Sequence, residues 1–166
     1  MAIGANWGAS ERERETALPC DELMPGAPVR LHRALDVQAS AATTFRWLCQ
    51  LKVAPYSYDL LDNRGRRSPR ELTEGAERLE VGERFMQIFR LVSFAQDEHI
   101  TLRSPRTAIT YSVTGEDTRS RLLVRVLFMP PGGRAGELIL GNALALGDLV
   151  MMRKQLLTLK ALAGSG

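Results

Sequence analysis

The chain closes on a segment whose apolar residues fall on one side of a helix, and most of what precedes it reads as strand. From Asp148 to Ala163, the residues Leu149, Met152, Leu156, Leu159 and Ala163 share one stripe at roughly 100° per residue, with Asp148 as N-cap and Gly164 as stop signal. A helix with one apolar stripe needs an apolar surface to lie on. The middle of the chain supplies it: strands are predicted over 84–94, 99–104, 108–114 and 121–129, with breaks at Gln96-Asp97-Glu98, Ser104-Pro105 and Gly115-Glu-Asp. Short consecutive strands of this kind pair as an antiparallel meander. Residues 57–61 or 76–81 hold a further strand candidate, and the pattern leaves both open.

The first strand is predicted over Val29–Val37, where Val29, Leu31, Leu35 and Val37 alternate with Arg30, His32 and Asp36. Arg33 falls on the apolar face, and a charge directed inward needs a partner, a water-filled cavity or a ligand. Ser40 then offers a helix N-cap, followed by a buried stripe of Phe45, Leu48 and Leu51. Pro55 interrupts that helix, and Tyr56 to Asn63 reads as a second short helix or turn whose tyrosines, Tyr56 and Tyr58, cross the mouth of a curved sheet. The resulting fold class is α+β: a curved antiparallel sheet wrapped around a long C-terminal helix, with two short helices after the first strand.

Residues 1–27 carry no sustained apolar period, mix Gly, Ala and Ser with a Glu-Arg alternation, and are expected to form a disordered or mobile arm. Removing Met1–Gly26 is accordingly expected to change stability little. Residues 28–166 then make one domain, since about 140 residues suit a single core. Lys and Arg outnumber Asp and Glu by only 22 to 19, and the basic residues are scattered, which argues against a nucleic-acid partner. The densest basic run, Arg64 to Arg70, reads as a solvated loop because no aromatic platform is interleaved with it. No stretch reaches the length of about 18 apolar residues that a membrane span requires. Cys20 and Cys49 lack the spacing of a disulfide framework and no signal segment precedes them, so a cytoplasmic location is expected.

The register of 84–94 decides which charges point inward. One face presents Met86, Ile88, Arg90, Val92 and Phe94, the other Phe85, Gln87, Phe89, Leu91 and Ser93, and a slip of one residue exchanges them. The first face is the more apolar, which sets Arg90 inward beside Arg33 and suggests an acidic head group on a ligand. A bulge that turns one arginine to solvent is the competing reading.

The opening from Val29 to Asn63, the Val81-Gly82 entry to a strand, and the closing run from Gly147 to Lys160 together resemble the START-like helix-grip superfamily, the SRPBCC group. It includes polyketide cyclases and dehydratases, lipid-transfer and hormone-binding domains, and ring-hydroxylating oxygenases. The resemblance spans about residues 28–163, and Val37-Gln-Ala-Ser40 is similar to the group's strand-end turn, with Ser where Pro is usual. It implies a cavity between sheet and closing helix but transfers no function, because enzymes and binders share the fold.

A non-haem iron site needs two histidines and a carboxylate on one surface, and His32 and His99 fall on polar faces without a companion motif, so no metal and no cofactor is expected. Candidate ligand-binding residues on the inner face are Arg33, Tyr56, Tyr58 and Arg90, then Tyr111, Phe128, Met152 and Leu156. For catalysis the available groups are Arg33 as an oxyanion clamp, Tyr58 or Tyr111 as proton donors, and Asp59 as acid or base. The expected function is binding or transport of a small hydrophobic molecule, a lipid, an isoprenoid or a polyketide-like aromatic, by a monomer or homodimer. A polyketide cyclase or dehydratase and a ligand-free protein-interaction module are the alternatives.

Overall fold

The computed structural model describes residues 4–57, 67–131 and 150–165. The strands are β1 (Asn6–Trp7), β2 (Val29–Val37), β3 (Arg84–Phe85), β4 (Phe89–Ala95), β5 (His99–Arg103), β6 (Thr107–Gly115) and β7 (Ser120–Phe128). They form one open sheet in the order β1-β2-β7-β6-β5-β4-β3. Every pairing is antiparallel except β1 with β2, which is parallel. Helix α3 (Ala41–Cys49) starts at Ser40, whose hydroxyl accepts from the Thr43 N–H at 3.1 Å, and runs into a short 3-10 turn at Gln50–Lys52. The closing helix occupies 150–163 within the described residues and buries Met152, Leu156, Leu159 and Ala163, as its stripe requires. Asp148, Leu149 and all but the first two residues of the short helix or turn expected over Tyr56 to Asn63 lie outside the described residues.

The concave face of the sheet, α3 and the closing helix share one core, which includes Leu35, Phe45, Leu48, Ile100, Leu122 and Leu156. The alternation of β2, β6 and β7 turns Leu35, Val113 and Leu122 inward as the period of two predicts.

The segment 84–94 is a hairpin rather than one strand. Phe85 pairs with Phe89 across a three-residue turn at 86–88, where Met86 and Gln87 adopt φ of 43° and 68°. The turn is pinned from outside, because the Met86 N–H donates to Leu51 O at 3.0 Å. Farther along β4, a bulge between Leu91 and Ser93 inserts one residue, so that Leu91 opposite Leu102 and Phe94 opposite Ile100 both pack on the inner core. Arg90, opposite Arg103, therefore faces away from the core and is exposed, donating to Gly82 O at 3.0 Å. The inward pair of Arg33 and Arg90 does not form; the strand shows the other expectation, a bulge with one arginine turned to solvent. No strand forms over 76–81.

The arm expected to be disordered is ordered over its described residues and covers the convex face. Helix α1 (Glu11–Glu15) opens with a reciprocal cap in which Ser10 Oγ accepts from the Glu13 N–H at 3.3 Å and Glu13 Oε2 accepts from the Ser10 N–H at 2.7 Å. Helix α2 (Pro19–Leu23) has Pro19 at its first turn, and the Leu18 N–H donates to Asp21 Oδ2 at 2.8 Å. The segment buries Leu18, Cys20, Met24 and Ala27 against Ala34, Ala108, Leu123 and Leu127. Small residues on β2 and β6 let it approach closely. At Gly8, with φ of 77°, an added Cβ would stand 2.1 Å from Ala34 O.

Charges fasten this cover. Arg121 donates to Glu13 at 2.7 and 3.0 Å, and the buried Arg125 pairs with Asp21 and donates to Arg14 O at 2.8 Å. Hydrogen bonds from Arg121 hold the Glu13 carboxyl down at about 2. Burial, reinforced by Arg125 and Arg30, holds His32 down at about 4.

Deleting residues 1–26 is expected to lower stability by about 3 kcal/mol and the Tm by about 10 °C, and Gly8→Ala should reproduce part of the loss. Thermal melts of the three proteins check this; an unchanged midpoint in the deletion would show that the cover contributes nothing. The pH dependence has two parts. A histidine depressed in the fold takes its proton more readily when unfolded, so stability falls as pH drops from 6.5 toward about 4. A depressed carboxylate loses its contribution as pH drops from 4.5 toward about 2. Urea unfolding between pH 7 and pH 3 should show both declines, and His32→Gln should shrink the upper one while sparing the lower.

Candidate functional site

Between the concave face, the closing helix and the 86–88 turn lies a cavity of about 530 Å³. Its floor comes from alternate inward residues of three strands: Leu31 of β2, Ile109 and Tyr111 of β6, and Val126 and Phe128 of β7. The roof is one face of the closing helix, with Met151, Met152 and Gln155. Pro55 and Ser57 close one side, and the hairpin residues Met86, Gln87 and Ile88 form the rim. Among the described lining residues none carries a charge.

Gln155 organises the wall. Its side chain is only 4% exposed, and the carboxamide bridges four parts of the chain. Oε1 accepts from the Tyr111 hydroxyl at 2.8 Å, and Nε2 donates to Pro55 O at 2.6 Å and lies 3.2 Å from Met86 Sδ. The closing helix, β6, the segment after the 3-10 turn and the hairpin tip are thereby fixed relative to one another. The backbone around the cavity is strained at three non-glycine residues, since Tyr56 has φ of 55° in addition to the two positive values at Met86 and Gln87.

Three of the residues expected from sequence, Tyr111, Phe128 and Met152, line the cavity. Leu156 is fully buried in the core beside it. Tyr56 turns into the core and meets Trp47 edge to face, with ring centroids 6.1 Å apart, while its neighbours Pro55 and Ser57 reach the cavity. Arg33 is fully buried, as its place on the apolar face of β2 requires, but its guanidinium serves the arm: Nη1 donates to Ala5 O at 2.9 Å and to His32 O at 2.8 Å. It is not among the described lining residues. Arg90 lies on the opposite face of the sheet. Tyr58 and Asp59 lie outside the described residues.

Gln155 is the residue that sequence reasoning missed, and a signal for it existed. It sits three residues after Met152 and four before Leu159, so it is a polar side chain inside an apolar stripe. The rim residues Met86 and Ile88 carried no such signal, because the turn that presents them contains no Gly, Pro, Asn or Asp.

The two thiols offer no nucleophile. Burial pushes the Cys49 thiol up to about 12 and raises that of Cys20 as well, and both side chains are fully enclosed.

No protein-family model matches the chain, and no curated protein matches it. Solved structures do. The KanY protein, seen in solution, is 14% identical, with 83% of this chain and 98% of that one covered and a TM-score of 0.51. A Polyketide_cyc-like protein of Corynebacterium glutamicum is 12% identical over 82% of this chain and 91% of its own, with a TM-score of 0.48. A protein from Arthrobacter aurescens is 11% identical over 82% and 87%, also with a TM-score of 0.48. At these identities the likeness concerns the fold. The strand order, the helix seated on the concave face and the match to KanY agree, and the chain has the helix-grip fold expected from its sequence, one it shares with KanY.

Proposed function

We propose that this chain binds a small, largely apolar molecule in the cavity between sheet and closing helix. The observation that carries the reading is a cavity of about 530 Å³ lined chiefly by aliphatic, methionine and aromatic side chains, with one buried polar pair, Tyr111 and Gln155, in its wall. That volume falls within the ordinary range of small-molecule sites. A lipid, an isoprenoid or a polyketide-like aromatic suits the apolar lining. The pair fixes orientation: the Tyr111 hydroxyl donates to Gln155, so a ligand carbonyl has to compete with Gln155 for that proton. The acidic head group expected from two inward arginines loses its support, since Arg90 is on the other face and Arg33 holds the arm.

One observation favours a second reading. A cyclase needs a pocket that folds its substrate and a donor that stabilises an enolate, and the Tyr111 hydroxyl stands in the cavity wall with a hydrogen-bonded partner behind it. The module that serves only a protein partner draws no support from a cavity of this size.

Binding is tested by thermal melts against a panel of fatty acids, isoprenoids and aromatic amphiphiles. A true ligand at a hundredfold excess over its Kd adds about 2.7 kcal/mol of stability. Val126→Phe, which fills the floor, should melt cooperatively and lose the ligand shift. A panel with no shift in the parent protein defeats the binding reading, and turnover of a polyketide mimic that Tyr111→Phe abolishes without loss of binding replaces it with the cyclase. The Gln155 bridge has its own test: Gln155→Leu removes the acceptor for Tyr111 and the donor to Pro55, and should cost about 3 kcal/mol in urea unfolding. Because the two residues share one hydrogen bond, the double variant with Tyr111→Phe should cost less than the sum of the singles.

A further inference from the structure

One end of the sheet gathers cations that enter no ion pair among the described residues; Arg90 alone makes a described hydrogen bond, to Gly82 O. Register places Arg84 opposite Arg90 and Arg90 opposite Arg103, so three arginines stand side by side on the outer face of three adjacent strands, about 5 Å apart. All three are exposed. Arg106, also exposed, lies in the turn that follows β5. Like charges directly opposite one another destabilise a sheet, so the row carries a cost that one hydrogen bond from Arg90 to Gly82 O offsets only in part. Among the described residues the ion pairs are made by other groups: Asp21, Asp36 and Glu13 serve Arg30, Arg121 and Arg125, and Glu83 serves Lys52.

The same end carries exposed aliphatic side chains. Arg84 and Arg90 flank the hairpin tip, where Ile88 is 69% exposed, and Met129, after β7, is 40% exposed. Ile88 also belongs to the rim of the cavity, as do Phe89, Thr107 and Phe128, all from this end of the sheet. Arginines around a protruding aliphatic tip fit a surface that is anionic at its head groups and apolar beneath. A nucleic acid or an acidic protein would meet the charge and leave Ile88 without a partner.

We propose that the β3–β4 hairpin and its arginine row dock this protein on an anionic lipid bilayer, with Ile88 entering the head-group layer and the cavity rim facing the lipid. A ligand from the bilayer would then reach the cavity without crossing water. Docking extends the binding reading but does not depend on it, and the two are measured separately.

The experiment is co-sedimentation of the full chain with vesicles of pure phosphatidylcholine and of phosphatidylcholine with 30% phosphatidylglycerol, the charged fraction being a probe set at about 30% for a strong negative surface potential. Binding is expected to the anionic vesicles alone and to fall with added salt. Arg84→Gln combined with Arg103→Gln should weaken it roughly fivefold per arginine while keeping the parent melting transition. Ile88→Asp should weaken it with all the arginines in place. Absence of binding to anionic vesicles at low salt, or binding indifferent to both sets of substitutions, overturns the proposal. Binding to single-stranded RNA with none to vesicles overturns it as well and assigns the row to a nucleic acid. Amphiphile-induced melting shifts in vesicle-free solution report on the cavity alone, so either reading can fail while the other stands.

Discussion

Strand β7 is buried on both of its faces, and the fold follows from the need to cover it twice. Leu122, Val124 and Val126 point to the concave side and Leu123, Arg125 and Leu127 to the convex side, all of them nearly inaccessible. An antiparallel sheet commonly leaves one face to water, but a strand with apolar residues on both sides does not permit that. The inner cover comes from α3 and the closing helix. The outer one comes from residues 4–27, and the two are joined at the sheet edge, where β1 pairs with β2 and Arg153 of the closing helix stands over the Trp7 ring at 5.5 Å.

The covers differ in chemistry. The inner one is apolar and leaves a void; the outer one is tight and ionic. Arg125 is 2% exposed and depends on Asp21 and on carbonyls of the arm for compensation. A buried ion pair adds little net stability over a well-packed apolar pair, but an arginine left there without its partner is expensive. The arm therefore has one register on the sheet, set by where its carboxylates meet Arg121 and Arg125. Arg33 belongs to the same system. It points inward by position, yet its guanidinium reaches the arm backbone at Ala5, so a residue expected to greet a ligand instead secures a strand.

Much of this was legible in the sequence wherever a period of two or 3.6 ran unbroken. Strands β2, β5, β6 and β7, the Ser40 cap and the stripe of the closing helix all follow from alternation or capping. Reading failed where structure is short or irregular. Two helices of five residues are too brief for any period, although Ser10-Glu-Arg-Glu13 is a capping signature and Pro19 a helix-start residue. The 84–94 segment defeated pattern reading twice, by a turn without turn residues and by a bulge that reverses the pleat after Leu91. Of the cavity, Tyr111, Phe128 and Met152 could be placed because they lie on regular elements. Arg90 could be placed only by the alternative that a bulge turns one arginine to solvent, because no residue marks where that bulge falls.

The hairpin tip carries a stored cost. Two successive non-glycine residues in the left-handed region each hold on the order of 1 kcal/mol of backbone strain, which glycine at either position would release. Selection for heat resistance alone would push Met86 and Gln87 toward glycine or asparagine. Each such exchange would shorten or remove a side chain at the rim and, at Met86, take away the sulfur beside Gln155. A lineage that keeps bulky residues at these two positions is trading robustness for the shape of an entrance.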